Sequence, residues 1–227
     1  KGSLRAEGRC EGRHMSKAIE EVRGQRIVVR FDARKCIHSR HCVLGRPEVF
    51  VPNVPGEWIH PDAASPEAIM QVALACPSGA ITCERLDGGE GESAPKVNTL
   101  RVRENGPLAI HAPVVVAGRD EGYRVTLCRC GASRHKPFCD GSHAAIGFAA
   151  TGEPPTRESQ PLAVRDGTLA VSPQPNGPLK VEGPLEVVSG TGRTIDRVTR
   201  AFLCRCGASG NKPFCDGSHK RVGFVAE

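Results

Sequence analysis

The sequence predicts an α+β protein in which a small mixed unit is followed by a larger, β-rich region. Twenty-six Gly and eighteen Pro among 227 residues favour short strands and turns over long helices. The stretch 128–143 returns almost unchanged at 204–219, which indicates a duplicated domain. The clearest helix signature, at Ser65, precedes both copies, so helix is expected mainly in the first unit.

Residues 1–21 are predicted to form a disordered tail. Their first part is rich in Gly and Arg and shows no apolar periodicity, so it offers no face to bury. Cys10 lies in this tail and is interpreted as a solvated thiol without a role.

The first unit is predicted to span residues 22–86. Residues 26–31, RIVVRF, are typical of a strand, and Ser65 followed by Pro and Glu is typical of a helix N-terminus. This helix is expected to run to about Ala75, and residues 81–86 are expected to form a closing strand.

Three cysteines of this unit are candidate cluster ligands. Cys36 and Cys42 lie in one loop, and Cys76 precedes a proline thirty-four residues later. Thiolates in such spacing are typical of iron–sulfur sites, although buried structural cysteines are the alternative. Cys83 lies on an expected strand and is interpreted as a core residue.

The pattern CIHSRHC…CPSGAI resembles the divergent single-cluster ferredoxin family. The resemblance implies a compact βαββα-type unit around one cluster. Ser39 stands where such ferredoxins usually have a middle cysteine. Three thiolates suffice for a [3Fe–4S] cluster, whereas a [4Fe–4S] cluster needs a fourth ligand from Ser39, His38 or water.

Residues 87–95, rich in Gly, Ser and acidic side chains, are predicted to form a linker. The duplicated region follows, with a first repeat at 96–152 and a second at 153–227. In both repeats, short apolar runs separated by Gly and Pro predict strands that lead into the repeated stretch.

Each repeated stretch offers three cysteines and one histidine in the spacing CxCx8Cx3H. A single residue between Cys128 and Cys130 lets one short loop place two thiolates on one metal. Asp140 is predicted to cap a helix, with Cys139 just before the cap and His143 in the first turn. Zinc also accepts such a ligand set, but it usually binds through Cx2–4C, so an iron–sulfur cluster is favoured.

The signature CxCx2Sx3PxCDGSH, complete in both copies, resembles the CDGSH iron–sulfur domain family over residues 96–227. The resemblance implies one [2Fe–2S] cluster in each copy and two halves that pack with pseudo-two-fold symmetry inside a monomer. The ligands it implies are Cys128, Cys130, Cys139 and His143, and then Cys204, Cys206, Cys215 and His219.

One histidine among three cysteines has chemical consequences. A neutral imidazole donates less charge than a thiolate, so the reduction potential is expected above that of all-cysteine ferredoxins and below that of many two-histidine centres. Imidazole also protonates near neutral pH, so His143 and His219 are expected to couple cluster retention to pH.

Composition argues against several classes of protein. The formal net charge of +6 would be cut by half or more by three clusters of about −1 to −2 each, and basic residues do not alternate with aromatic ones. Nucleic acid is therefore not an expected partner. No apolar run approaches the ~18 residues of a membrane span. The number of Cys, eleven, is odd, and most of them fall in or beside metal-ligand spacing, which favours the reducing cytoplasm.

The sequence therefore predicts a three-cluster, metal-binding electron-transfer protein and not an enzyme, since it shows no nucleophile–base pair and no nucleotide-binding motif. Its partner would be a redox protein. The alternative is a cluster carrier or a redox or pH sensor that releases its His-ligated clusters to an apo iron–sulfur acceptor.

Overall fold

A computed structural model describes residues 19–226, which form eleven strands and four short helices. Most of the predicted tail, including Cys10, lies outside the described residues. The first strand begins at Glu20, two residues before the predicted start of the first unit at 22. The bounds predicted for the later domains stay predictions.

The first unit is built on a three-stranded antiparallel sheet in the order β1-β2-β3. Its strands are β1 (Glu20–Arg23), β2 (Ile27–Phe31) and β3 (Ile81–Arg85), and its helices are α1 (His41–Gly45) and α2 (Pro66–Ala75). The order ββααβ differs from the βαββα order expected from the resemblance. The difference arises because β1 and β2 form a hairpin before the first helix.

Helix α2 begins and ends where the sequence predicts. The Ser65 hydroxyl accepts a hydrogen bond from the Ala68 N–H at 3.3 Å, and the proline at position 66 occupies the first helical turn, where no intrahelical donor is needed. Ile69 and Ala73 face inward and join Val29 and Phe50 in the buried core of the unit.

The remaining strands form one eight-stranded sheet. The strands of the first copy are β4 (Thr99–Val102), β5 (Leu108–His111), β6 (Val114–Val116), β7 (Arg119–Asp120) and β8 (Arg124–Leu127). Those of the second copy are β9 (Leu169–Pro173), β10 (Leu179–Val188) and β11 (Thr194–Leu203). The sheet confirms the β-rich character that Gly and Pro predicted for this region.

The two copies exchange strand pairings within this sheet. Strand β4 pairs antiparallel with β5 of its own copy and parallel with β10 of the other. Strand β9 likewise pairs antiparallel with β10 and parallel with β6 of the first copy. Leu100, Ile110, Leu169 and Leu203 all belong to one buried cluster, so the copies share a single core.

Two helices of one turn each, α3 (Ser142–Ala145) and α4 (Ser218–Arg221), close the repeated stretches. The prediction that Asp140 caps α3 is wrong: the cap residue is Gly141, at φ 84°, because a backbone turn in this region needs a residue without Cβ. Within residues 19–226, none of the helices combines the length and apolar character required to cross a membrane.

Candidate metal centres

The four ligand-type side chains of the first copy lie as two close pairs. The Cys128 and Cys130 sulfurs are 3.8 Å apart, and the Cys139 sulfur lies 3.4 Å from His143 Nδ1. Two ligands on one tetrahedral metal stand about 3.8 Å apart for two sulfurs and about 3.5 Å for sulfur and nitrogen, given bonds of about 2.3 and 2.0 Å. Each pair therefore fits one metal.

Backbone pairing brings these two pairs together. Strand β8 ends at Leu127, which forms a bridge with Phe138 across the loop. The Cys128 N–H donates to Pro137 O at 2.8 Å, and the Cys139 N–H donates to Thr126 O at 2.9 Å. The chain thus returns alongside its own strand and places Cys139 beside Cys128.

The second copy repeats this geometry. The Cys204 and Cys206 sulfurs are 3.8 Å apart, and the Cys215 sulfur is 3.4 Å from His219 Nδ1. The bridge between Leu203 and Phe214 takes the place of the first one. The duplicated stretch therefore forms two sites with the same geometry.

The aspartate of each stretch holds the loop instead of capping the helix. Asp140 accepts hydrogen bonds from the backbone N–H groups of Ser142 at 3.0 Å and Arg134 at 2.9 Å. Burial opposes the charge of this carboxyl, but these hydrogen bonds outweigh it and lower the pKa of Asp140 to about 2. Asp216 accepts the equivalent pair from Ser218 and Gly210.

The free thiols of these sites differ in acidity. The contact between the first two sulfurs lowers the pKa of Cys128 to about 6 and raises that of Cys130, because the first thiolate to form accepts a hydrogen bond from the remaining thiol. Burial raises the pKa of Cys139 and of Cys204, each to about 11. Metal binding must therefore release protons from buried thiols.

A buried arginine supports each CxC loop. Arg129, 1% exposed, donates to four backbone carbonyl groups, those of Gly106, Thr151, Arg103 and Ala150. Arg205, also 1% exposed, donates to Gly177, Gln174 and Ala226. Burial lowers the pKa of Arg129 only to about 10, so its positive charge persists at neutral pH beside the cysteines.

The two CxC loops touch through their backbones. Gly131, at φ 85°, lies so close to Cys206 that a Cβ there would stand 2.5 Å from the Cys206 carbonyl oxygen. Gly207, at φ 81°, stands in the same relation to Cys130, at 2.4 Å. The structure thus places the two candidate sites next to each other.

The first unit holds a third group of cysteines at the edge of its core. Cys76, at the end of α2, is buried, while Cys36 and Cys42 are half-buried against the same cluster. Burial raises the pKa of Cys36 and Cys42, and the neighbouring Cys76 raises both further. The structure therefore places the three cysteines that the sequence singled out against one core cluster.

The candidates for a fourth ligand differ in placement. Ser39 is half-buried and lines a surface groove of about 500 Å³ together with His41. His38 is exposed, and its backbone N–H donates to the Cys36 sulfur at 3.4 Å. Ser78, which the sequence analysis did not consider, is 2% exposed and places its hydroxyl 3.7 Å from the Cys76 sulfur.

Over residues 19–226, no three His, Cys, Asp or Glu side chains converge as the ligands of a single metal ion would. The ligand-type side chains of the repeats lie in pairs instead.

Family models match the chain in three places. The model described as iron-binding zinc finger CDGSH type matches residues 105–144 and 176–220. The model described as divergent 4Fe-4S mono-cluster matches residues 22–85. The chain carries two CDGSH domains and one divergent mono-cluster domain. A comparison with curated proteins found no match.

Both resemblances drawn from the sequence are thereby confirmed. The protein is an iron–sulfur protein, and the paired side chains of each CDGSH domain suit a centre with two metals. The family model that matches the first unit is one for 4Fe-4S mono-cluster domains. The cysteines Cys36, Cys42 and Cys76 lie within the matched range, as do all candidate ligands of the CDGSH domains.

Sequence reasoning missed the residues that join the mono-cluster domain to the first CDGSH domain. Arg124, at the start of β8, is 4% exposed and donates to backbone carbonyls of the mono-cluster domain. Glu92, in the predicted linker, forms an ion pair with it at 2.6 Å. A charged residue at the head of an alternating strand was the only signal, and it does not reveal its partner.

Proposed function

We propose that this protein transfers electrons through three iron–sulfur centres. Two would be [2Fe–2S] clusters, held by Cys128, Cys130, Cys139 and His143 in the first CDGSH domain and by Cys204, Cys206, Cys215 and His219 in the second. The third would be a [3Fe–4S] or [4Fe–4S] cluster on Cys36, Cys42 and Cys76.

The observation that supports this proposal best is the contact between the two CxC loops. Backbone atoms of Gly131 and Cys206 are so close that no side chain fits between them, and the equivalent contact recurs at Gly207. Ligands of one cluster therefore adjoin ligands of the other. Centres held side by side in one shared core suit the passage of electrons between them.

The strand exchange supports a pseudo-two-fold relation between the CDGSH halves. Each half gives its first strand to a parallel pairing with the other half, β4 with β10 and β9 with β6. Because the halves are joined covalently and share one core, we infer a monomer with an internal pseudo-dimer.

The chain's own contribution is to hold and tune the clusters, while the clusters supply reversible one-electron chemistry. Backbone N–H groups point at the ligand sulfurs: Ala132 donates to Cys130 and Gly141 donates to Cys139, both at 3.4 Å. Such donors, with the buried charge of Arg129, stabilise the more negative reduced state and are expected to raise the reduction potential.

In this proposal the protein is not an enzyme, and its partner is another redox protein. A reducing compartment such as the cytoplasm would suit it, because its cysteines serve as ligands. Neither nucleic acid nor a membrane is needed as a partner for this role.

Anaerobic protein, with iron and acid-labile sulfide counted and electron paramagnetic resonance (EPR) spectra recorded, would test the cluster content. About seven or eight irons per chain are expected, whereas about four would mean that only the CDGSH sites bind clusters. A redox titration should then show reversible one-electron reduction of each centre. Irreversible loss of colour on reduction would contradict the proposal.

Cluster release is the second candidate function. Both histidines are half-exposed, and the short helices that carry them are followed by the exposed residues Ile146 and Val222. A ligand at the surface is open to protonation and to exchange. Reduced protein mixed with an apo-ferredoxin distinguishes the two roles: cluster on the acceptor supports a carrier, and reduction without transfer supports electron transfer.

A further inference from the structure

The side chain of Arg124 crosses from the first CDGSH domain into the mono-cluster domain. It starts from strand β8 and is 4% exposed. Its Nη1 donates to the carbonyl oxygens of Ala73 and, at 2.7 Å, Cys76. Its Nη2 donates to Ile81 O at 3.1 Å. The Cys76 carbonyl belongs to a residue that we assign as a ligand.

Glu92 completes the surroundings of this guanidinium. Its two carboxylate oxygens accept from Arg124 Nε at 2.6 Å and Nη2 at 2.7 Å. Five contacts match the five N–H donors of an arginine, so each donor has a partner. A buried charge of this kind is stable only with such complete pairing. Removing the arginine would leave both the carboxylate and the carbonyls without hydrogen-bond partners.

Arg124 caps helix α2 from outside its domain. Ala73 lies in the last turn of α2, and Cys76 follows the helix as its C-cap residue. The helix has no basic residue in its own last turn, although a cation there would pair with the free carbonyls and with the helix dipole. The CDGSH domain supplies that cation.

Two further contacts hold the same interface. Gly79, at φ 66°, lies so close to β8 that a Cβ there would stand 2.6 Å from the Arg124 carbonyl oxygen. Lys35, adjacent to the ligand Cys36, forms an ion pair with Glu121 at 2.9 Å. Both loops that bear mono-cluster cysteines therefore touch the first CDGSH domain.

One strand connects this interface to the next centre. Strand β8 runs from Arg124 to Leu127 and leads directly into Cys128. At ~3.3 Å per residue, the two ends of this path, Arg124 and Cys128, lie about 13 Å apart.

We propose that Arg124 of the first CDGSH domain is a positioning residue for the centre of the neighbouring mono-cluster domain. It fixes the end of α2 and the Cys76 loop, so the mono-cluster domain retains its cluster fully only while it is docked on β8. This inference rests on the proposed function to the extent that Cys76 is a ligand.

The second repeat provides a matched control. Arg200 precedes Cys204 by four positions, as Arg124 precedes Cys128. Both residues occupy equivalent register positions, Arg124 opposite His111 and Arg200 opposite Glu182. Arg200, however, is exposed, because no mono-cluster domain packs against it. The same substitution at the two positions therefore compares an arginine in the interface with one outside it.

The test compares Arg124→Gln, Arg124→Lys and Arg200→Gln in the full chain. Hydrogen–deuterium exchange of the amides at residues 73–81 reports on the interface with or without bound cluster. Arg124→Gln should speed this exchange about tenfold or more, since each buried acceptor left unpaired corresponds to about fivefold or more and Arg124 serves three carbonyls. Arg124→Lys keeps the positive charge but loses the forked N–H donors of the guanidinium group, so it should have an intermediate effect. Arg200→Gln should have none.

Cluster retention is the second measurement. With an iron chelator present, the mono-cluster EPR signal of Arg124→Gln should decay about tenfold faster than that of wild type. The EPR signals of the CDGSH clusters should decay at the same rates as in wild type, which also shows that the variant is folded. If Arg124→Gln fails to fold, the same two measurements on Arg124→Lys test the proposal through the intermediate effect expected there.

Equal exchange and equal decay in Arg124→Gln and Arg200→Gln would overturn the inference. A failure of the proposed function looks different. If the wild-type mono-cluster domain binds no cluster, cluster retention cannot be measured. Hydrogen–deuterium exchange still tests whether Arg124 fixes the Cys76 loop. If clusters bind but do not exchange electrons, both measurements remain valid.

Discussion

Gly131 and Cys206 belong to different CDGSH domains, yet a Cβ on the glycine would lie 2.5 Å from the carbonyl oxygen of the cysteine. Gly207 and Cys130 form the equivalent contact at 2.4 Å. Backbone atoms cannot move aside as a flexible side chain can. The two glycines thus set how closely the two cluster loops approach.

Replacing Gly131 with alanine should therefore weaken the CDGSH core. Gly118 provides the control, because its φ of 80° imposes the same backbone strain while its Cβ would meet no atom within 4 Å. We expect Gly118→Ala to cost about 1–2 kcal/mol and Gly131→Ala about 1–3 kcal/mol more. Denaturant unfolding followed by cluster absorbance measures both, and equal losses would show that the contact is not tight.

The histidine ligands should set both the potential and the acid lability of the CDGSH clusters. Replacing His143 or His219 with cysteine substitutes a thiolate for a neutral ligand, which should lower the midpoint potential by on the order of 100 mV. Each variant should also hold its cluster to lower pH, because the protonatable imidazole is gone.

Redox titration and cluster absorbance as a function of pH test this prediction. His135→Asn is the control, since the second copy has Asn211 at the corresponding position. Unchanged potential and acid lability in both ligand variants would contradict the assignment of these histidines.

The buried Arg129 should contribute to stability and to potential. Arg129→Gln leaves several of four carbonyl acceptors without a partner, which should cost about 2–4 kcal/mol. Loss of a positive charge beside the cluster should also lower its potential. Arg134→Gly, an exposed position that is glycine in the second copy, should change neither quantity, as unfolding and redox titrations would show.

The mono-cluster site should depend on three cysteines and not on the fourth cysteine of its domain. Cys36→Ser, Cys42→Ser or Cys76→Ser should abolish its EPR signal and reduce the iron content to about four per chain. Cys83→Ser should leave every signal intact: Cys83 lies on β3, and burial raises its pKa to about 12, so it favours the neutral thiol. Loss of the mono-cluster on replacing Cys83 would mean that the ligand set is wrong.

Local sequence determined the candidate CDGSH sites almost completely. The stretch from Cys128 to His143 contains all four ligand-type side chains, and a single backbone bridge between Leu127 and Phe138 brings them together. Helix α2 was equally predictable, because Ser65 and the proline after it fix its start by interactions within one turn. In these cases the deciding contacts join residues that are close in the chain.

Contacts between distant residues were beyond prediction from the sequence. The strand exchange of β4 and β9 depends on how two similar hairpins share a core, and nothing in either hairpin specifies its partner. Asp140 is of a residue type that often caps helices. Its carboxylate also accepts a hydrogen bond from the Arg134 N–H, so the turn places Gly141 at the cap instead.

Arg124 and Arg200 show the division most clearly. The sequence determined that both repeats have arginine four residues before the CxC motif, and it placed both on strands. Only the tertiary structure decided that Arg124 is buried with Glu92 and the end of α2, while Arg200 is exposed. The physical reason is that burial of a charge depends on partners brought by folding, and these partners lie in another domain.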